Sequence, residues 1–497
     1  MFRKKSVAIE LVVEASAPRG RFPTFRRLAR GLLGRLGRLP FLSRAWWKRN
    51  KRRVAAACLT FAAIWTATNI YASVLLNREL EAIRKRGEPL TMAELAPPPI
   101  PDAQNAAILY RRADATLKKL GLTQEEEIQM MGQDPKTNAA LSAPQLSATR
   151  RGLLQKYRPA IELIRQASRL SSCRFPTQWQ KPAFAILFPD LPSLRQFARL
   201  MSASATQQAQ DGKTAQAVED VGAIYRISEH AASDPIVISL LVSNAIENIG
   251  HDALAQVFKY SNLTPAQKSS VETILPRVDK EQQLARALQG ERAFGLSGFN
   301  SINSTSEEPG AVADFPGNAE NGNTMFSPLA HIARVLWLPM FKLDEVWFLR
   351  THPANVSPAP VEDAPNYAML TKIVVPVFSR THETIRKSQT LRDLARVALD
   401  LNVYHTQAKT YPANLAQLET QTKTKFPLDR FSGKPFVYRG TKSFYVLYSI
   451  GPNKTDDNGR TEADRRRAPA KVQRLPSGSW PAALWDDITW PPRKRRP

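Results

Sequence analysis

Residues Val54 to Leu76, VAAACLTFAAIWTATNIYASVLL, form an uncharged run of 23 positions. At about 1.5 Å of helical rise per residue it extends roughly 34 Å, enough to cross the hydrocarbon core of a bilayer. Its second half carries Thr66, Thr68, Asn69 and Ser73, which weaken insertion. The alternative is a helix buried in a soluble core, for which so long a charge-free run is unusual. Sixteen Lys or Arg precede the run against only Glu10 and Glu14. Basic flanks stay on the cytoplasmic side, so residues 1–53 are expected inside and the chain beyond 76 outside. That corresponds to a single-pass protein of a bacterial inner (cytoplasmic) membrane with its bulk in the periplasm or otherwise extracytoplasmic. A cleaved signal peptide fits poorly, because the basic leader is too long and the apolar stretch exceeds an h-region. Trp46 and Trp47, followed by Lys48, Arg49 and Lys51 to Arg53, suit an aromatic and basic interface belt.

Within the leader, FRRLARGLLGRLGRL sets Phe25, Leu28, Leu32, Leu36 and Leu39 on one helical face and Arg26, Arg27, Arg30 and Arg38 on the other. This is the pattern of a cationic helix on an anionic lipid surface, with a plain basic topology signal as the alternative. The formal charge of +26 invites a nucleic-acid reading, but residues 1–53 supply 16 − 2 = +14 of it, leaving +12 for the rest. Charge beside a membrane segment is explained by topology first. Short runs at Arg465 to Arg467 and Arg493 to Arg496 could meet anionic lipid, an envelope polymer or nucleic acid. No stretch interleaves aromatic and basic residues as single-strand platforms do, so nucleic acid is not an expected partner. The two cysteines, Cys58 in the run and Cys173 beyond it, supply neither a disulfide framework nor a thiolate metal site.

Beyond the run, Asn77 to Gly87 continues as a charged helix, and APPPIP (Ala96 to Pro101) forms a stiff spacer. From Asn105 to about Phe294 apolar residues recur at three- and four-residue spacing, which predicts stacked helices. Asp211-Gly212 predicts a stop and Thr214 a start. Asp234-Pro235 predicts an N-cap with proline in the first helical position, and Thr264-Pro265-Ala266-Gln267 a capping box. The unit Ser193 to Ser233 loosely resembles a tetratricopeptide hairpin, although no second copy repeats at a fixed period. The stretch Ser297 to Thr324, rich in Gly, Asn and Ser, predicts a disordered loop. Arg334 to Leu349, RVLWLPMFKLDEVWFL, is greasy, yet Pro339, Lys342, Asp344 and Glu345 forbid a second span; it suits a core helix or an exposed docking patch. A Pro-rich loop over Pro353 to Pro365 follows. The six histidines make no ligand pair, and neither a Gly-rich phosphate loop nor a GxSxG elbow is present.

The last part of the chain is ordered differently. TLRDLARVALDLNVYHTQAKTYPANLAQL (Thr390 to Leu418) is a helix ending at Tyr411-Pro412, followed by FPLDRFSGKPFVYRG, KSFYVLYSIGPNKTDDNG and WDDITWP. Phe436 to Arg439 and Ser443 to Ile450 predict a strand pair joined at Gly440-Thr441-Lys442, Ile488 and Trp490 a further strand, with Phe436, Tyr438, Tyr445 and Leu447 packing on the helix. The series of helix, YPxxLxxL, P-x-D-x-F-x-G-x-P-x-x-Y, S-x-G-P, acidic Gly turn and terminal DDI is similar to the globular domain of the type II secretion major pseudopilin, over about 110 of 497 residues. That resemblance implies a structural Ca²⁺ held by Asp456, Asp457 and Asn458 with Asp486 and Asp487; a solvated acidic turn is the alternative. The family's processing site is missing from KRRVAAACL, which makes the module a pseudopilin-like head on an otherwise different membrane protein.

The expected fold is therefore mainly α. It comprises a basic cytoplasmic tail (1–53), a transmembrane helix (54–76), a charged helix and Pro-rich spacer (77–104) and a helical domain of stacked hairpins (105–296). A loop (297–324), a helix with Pro-rich connector (325–365) and a small α+β pilin-like domain with an antiparallel sheet (366–497) complete it. The expected role is a structural or protein-interaction component of the envelope, in contact with lipid and other envelope proteins, among them secretion-system components. No catalytic motif points to an enzyme. The competing classes are an envelope enzyme with a scattered site and a basic binder of anionic polymer or nucleic acid.

Overall fold

The computed structural model describes residues 44–137, 139–181, 186–276, 279–303, 328–354, 360–461, 464 and 486–492. The leader with its cationic helix at Phe25 to Leu39, residues 304–324 of the polar loop, and the arginine runs at 465–467 and 493–496 lie outside the described residues. The chain divides into two compact units, 1–71 and 72–497.

In the first unit, helix α1 (Arg44–Lys85) begins and continues into the second. Leu59, Phe61, Ile64, Ile70 and Tyr71 are each more than half exposed. Only 6% of the most apolar window of this helix is buried. A core helix buries such residues, because each large apolar side chain gains about 1.5–3 kcal/mol by leaving water.

The second unit is mostly helical. After α1, α2 (Met92–Leu95) is capped by the Thr91 hydroxyl, which accepts the Glu94 N–H. Then come α3 (Ala106–Leu120), α4 (Gln124–Met130), α5 (Ala143–Lys156) and α6 (Arg158–Arg169). The body is built on α7 (Leu191–Gln210), α8 (Thr214–Ala231) and α9 (Val237–Tyr260), which pack mutually. Gly212, at φ +75°, makes the tight turn between α7 and α8, a conformation that other residues reach only with strain. Buried Ala203, Ala205, Ala209, Ala217 and Ala223 keep the side chains between these helices small.

Capping differs from expectation at one helix. Asp234 does not cap α9; the helix starts at Val237 after extended Ile236, and its first N–H donates to the Glu291 carboxylate at 2.8 Å. A tertiary partner thus satisfies the exposed donor that the local motif was expected to satisfy. The capping box at Thr264 and Gln267 forms as read and opens α10 (Pro265–Ile274).

Helix α11 (Lys280–Asn303) runs through Ser297 to Asn303, where the sequence predicted loop. Leu296 and Phe299 are buried there, and the Phe299 and Phe348 rings lie 5.5 Å apart, so tertiary burial extends the helix. Phe348 belongs to α12 (Pro328–Thr351). Helix α13 (Met369–Ala408) starts 21 positions ahead of the expected Thr390. The Asp344 carboxylate of α12 accepts the Leu370 and Thr371 N–H groups at 2.9 and 3.1 Å, which caps it from outside. It ends at Lys409 in the left-handed conformation, and α14 (Leu415–Thr422) follows.

The sheet is antiparallel in the order β1 (Val437–Gly440), β2 (Tyr445–Ser449), β3 (Ile488–Trp490). Tyr438 faces Leu447, and Leu447 faces Trp490 across the other side. Phe436 and Leu447 are buried, while Tyr438 and Tyr445 are half-buried. One continuous core joins this sheet and the C-terminal part of α13 to helices α3 to α10. A second core gathers Ile83 of α1, Leu288 and Leu296 of α11, Phe348 of α12, and Val375 and Ile385 of α13. Head and body therefore share buried surface.

Candidate functional site

The acidic turn of the head is shaped by Gly451. Its φ of +67° and its closeness to Asp486, where an added Cβ would lie 2.2 Å from the carbonyl oxygen, bring the end of β2 against the start of β3. The Asn453 N–H donates to Asp486 Oδ2 at 3.1 Å. Asp457 Oδ2 accepts from Asn453 Nδ2 at 3.0 Å and from the Asp486 N–H at 3.3 Å. Asp487 Oδ2 accepts the Gly459 N–H at 2.8 Å, while its Oδ1 is buried and accepts no hydrogen bond from the described residues. Burial, opposed by backbone hydrogen bonds and reinforced by Asp457 and Asp456, pushes the Asp487 carboxyl up to about 7.

Asp457 is thus linked to Asn453 and to the Asp486 backbone, and its charge is felt by Asp487. Asp456 is turned aside, accepting the Tyr448 hydroxyl at 2.7 Å, and Asn458 is an exposed turn residue at φ +58° whose N–H donates to Asp456 at 2.8 Å. Among the described residues no three acidic, His or Cys side chains converge as a metal-binding group. The donor chemistry nonetheless suits a hard cation: carboxylate oxygens, one of them buried and unsatisfied. Asp429, buried beneath the turn, accepts the Phe431 N–H, the Ser449 hydroxyl and the Ser432 hydroxyl at 3.1, 2.7 and 2.9 Å.

A second centre was not singled out from the sequence. Glu247 and His251 lie one turn apart on α9, and both are sealed from solvent. Arg392 of α13 grips the Glu247 carboxylate with Nε and Nη2 at 3.0 and 3.1 Å. Lys280 of α11 adds its Nζ at 2.6 Å and donates to Asn244 Oδ1 at 2.5 Å. His251 Nε2 stands 3.4 Å from the same carboxylate, and its Nδ1 shares a hydrogen bond with the Tyr225 hydroxyl at 3.0 Å. Gly250 makes room for that ring, since a Cβ there would meet Tyr225 at 2.6 Å.

Burial alone would raise the Glu247 carboxyl; Lys280, His251 and Arg392 outweigh it and hold it well below the usual carboxylate range. Burial lowers Lys280, with Glu247 opposing. The imidazole of His251 also meets the Trp490 ring of β3 at 6.0 Å, so this ionic centre joins α9, α11, α13 and the sheet. Only the four-residue spacing of Glu247 and His251 was visible beforehand; Lys280 and Arg392 are remote in sequence.

A cleft of about 670 Å³ lies between residues 87–96 and α11, lined by Glu88, Glu94, Gln282, Arg286 and Gln289 among others. Arg292, wholly buried, pairs with Glu88 at 2.7 Å. The lining holds no hydroxyl, thiol or imidazole, and its ionisable groups are Glu88, Glu94 and Arg286. Both cysteines are free thiols, Cys58 exposed and Cys173 buried. Comparison of the chain with family models, with curated proteins and with solved structures finds no match.

Proposed function

We propose that this chain is a membrane-anchored envelope protein. In this reading residues 1–53 are cytoplasmic, the middle of α1 crosses the bilayer, and the helical body and head stand on the extracytoplasmic side. The observation that supports it is the exposure of α1: a 23-residue charge-free run whose large apolar side chains stay open, which suits lipid and not water. Protease added to spheroplasts is expected to digest everything beyond residue 85 while leaving a small anchored fragment that resists carbonate extraction. Release of intact protein by carbonate would overturn the anchor.

The head acts, in this proposal, through protein contacts as a structural component of a secretion or pilus-like apparatus. The motif series from Tyr411 to Trp490 and its antiparallel sheet packed on a long helix support the pseudopilin-like reading. Asp457, Asp486 and Asp487 would hold Ca²⁺ there, which would offset the crowding of their carboxylates. Affinity capture of the solubilised full-length protein, wild type against a variant with the exposed head residues Lys442 and Phe444 changed to Ala, tests the role of the head. Loss of envelope partners with unchanged thermal melting is expected, and an unchanged partner set would refute it.

A further inference from the structure

We propose that the junction of α5 with the α7–α8 turn and the end of α9 binds a phosphate group. The site lies in the helical body and depends neither on α1 nor on the head. Hydrogen bonds tie these elements together at one place. Arg151 of α5 pairs with Asp211 at 2.6 Å, and Gln207 of α7 donates to Ser147 of α5 at 3.1 Å. On the other side of the turn, Thr214 opens α8 and donates to Ser261 Oγ at 3.0 Å. Ser261 directly follows Tyr260, the last residue of α9.

Arg150 stands beside Arg151 and is only 8% exposed. Its Nε donates to the carbonyl of Met130, the end of α4, at 2.8 Å. That bond uses one of the five N–H donors of a guanidinium, and among the described residues no carboxylate pairs with it. A buried cation is ordinarily compensated, because an uncompensated one is costly. Its charge is felt instead by the Tyr260 phenol, which the Gln210 side chain, Lys259 and Arg150 hold below its ordinary range against the effect of burial. Lys259 Nζ lies 5.0 Å from the centre of that ring. Both Lys259 and Lys213 of the turn are exposed, and neither forms an ion pair among the described residues.

The start of α8 adds to this field. Lys213 is its N-cap, no side chain caps it, and its first turn holds no acidic residue. Uncapped N–H groups and the positive end of the helix dipole favour an anion. The nearby carboxylates are committed or set back: Asp211 to Arg151 and Gln207, Asp220 to Arg165 at 2.8 Å, with Glu219 in the second turn. Arg150, Lys213 and Lys259 are therefore the charges left to balance. A phosphate group, with a charge of about −1.5 to −2 and three acceptor oxygens, matches several cations and donors better than a carboxylate does.

Isothermal titration of the detergent-solubilised full-length protein tests the site, with inorganic phosphate, glycerol phosphate and acetate as probes and phosphatidic acid added to the micelles. Phosphate is expected to bind about tenfold more tightly than acetate. Preference for glycerol phosphate supports a soluble phosphoester as the source, and preference for phosphatidic acid supports a lipid headgroup. Arg150→Gln, and Lys213→Ala with Lys259→Ala, are each expected to weaken phosphate binding about tenfold. Lys434→Ala, an exposed lysine of the head, should leave it unchanged. Should Arg150→Gln melt early through loss of the Met130 contact, the lysine pair decides, since both side chains are exposed. Absence of phosphate binding by the wild type at millimolar concentration overturns the site. So does wild-type affinity in the lysine pair, or an equal loss in Lys434→Ala.

Discussion

Glu247 and Asp487 are both buried carboxylates, and the chain treats them in opposite ways. Glu247 is surrounded by Lys280, Arg392 and His251, and stays ionised well below its ordinary range. Asp487 is buried with Asp457 and Asp456 as its charged neighbours, which backbone N–H groups oppose only in part, so its carboxyl is pushed up to about 7. One centre is completed by the protein's own cations. The other has carboxylates as its charged neighbours, and a proton or an added cation would complete it. Burial alone does not decide the state of a carboxylate; the charges that share its cavity do.

The comparison breaks most sharply if Glu247 is dispensable. Glu247→Ala would leave Lys280 and Arg392 buried without their counter-charge, an expected loss of about 3–5 kcal/mol in denaturant unfolding of the detergent-solubilised protein. Restoring packing with Glu247→Met, Lys280→Met and Arg392→Met together should recover most of that loss. A wild-type midpoint for the single variant would show that the centre does not weld the helices.

Calcium should act on the other centre alone. At about a hundredfold excess over its dissociation constant, a cation bound only by the folded head raises its stability by about 2.7 kcal/mol. Asp487→Asn is expected to abolish the rise seen by calorimetry, and Glu247 variants to retain it. If chelation leaves the melting of the wild type unchanged, the metal assignment goes.

The pH dependence has opposite signs at the two centres. A carboxyl raised in the folded state contributes stability that is full below its unfolded pKa of about 3.9 and lost as pH rises through about 7. Without added metal, melting of the head should therefore fall between pH 5 and pH 8, with a slope of at most about 1.4 kcal/mol per pH unit. Asp487→Asn should flatten it. The Glu247 contribution, with its pKa lowered, is intact throughout that window and is lost only in acid.

A smaller effect of the same kind sharpens the picture at low pH. His352, buried between Phe348 and Phe378, is pushed down to about 3 by burial, with Arg292 adding to it. The unfolded imidazole binds a proton below about 6.5 and the folded one does not, so stability falls as pH drops from there toward 3. His352→Leu should reduce the acid-side slope by up to one proton's worth, measured by urea midpoints between pH 4 and pH 7.

Much of the fold was legible from local pattern. The Thr264 capping box, the Gly212 turn, the strand pair around Gly440 and the third strand at Ile488 to Trp490 follow from residues close together in sequence. Where the reading went astray, a distant partner had taken over a local role. Glu291 caps α9 in place of Asp234, Asp344 caps α13 well ahead of Thr390, and the Phe299 contact with Phe348 carries α11 past Ser297. The candidate site divides the same way. Asp457, Asp486 and Asp487 were named from motif order, whereas Lys280 and Arg392 gave no signal, because nothing near them in sequence marks them for Glu247.

By itself the sequence determined the charge-free run, its basic approach, the predominance of helix and the small sheet near the end. These depend on periodicity, length and turn chemistry, which act over a few residues. Only the tertiary structure decided that head and body share a core, that α12 is buried in one half and open in the other, and which carboxylate keeps its charge. Those outcomes depend on what is packed against each group, and burial magnifies an electrostatic interaction that water would have screened.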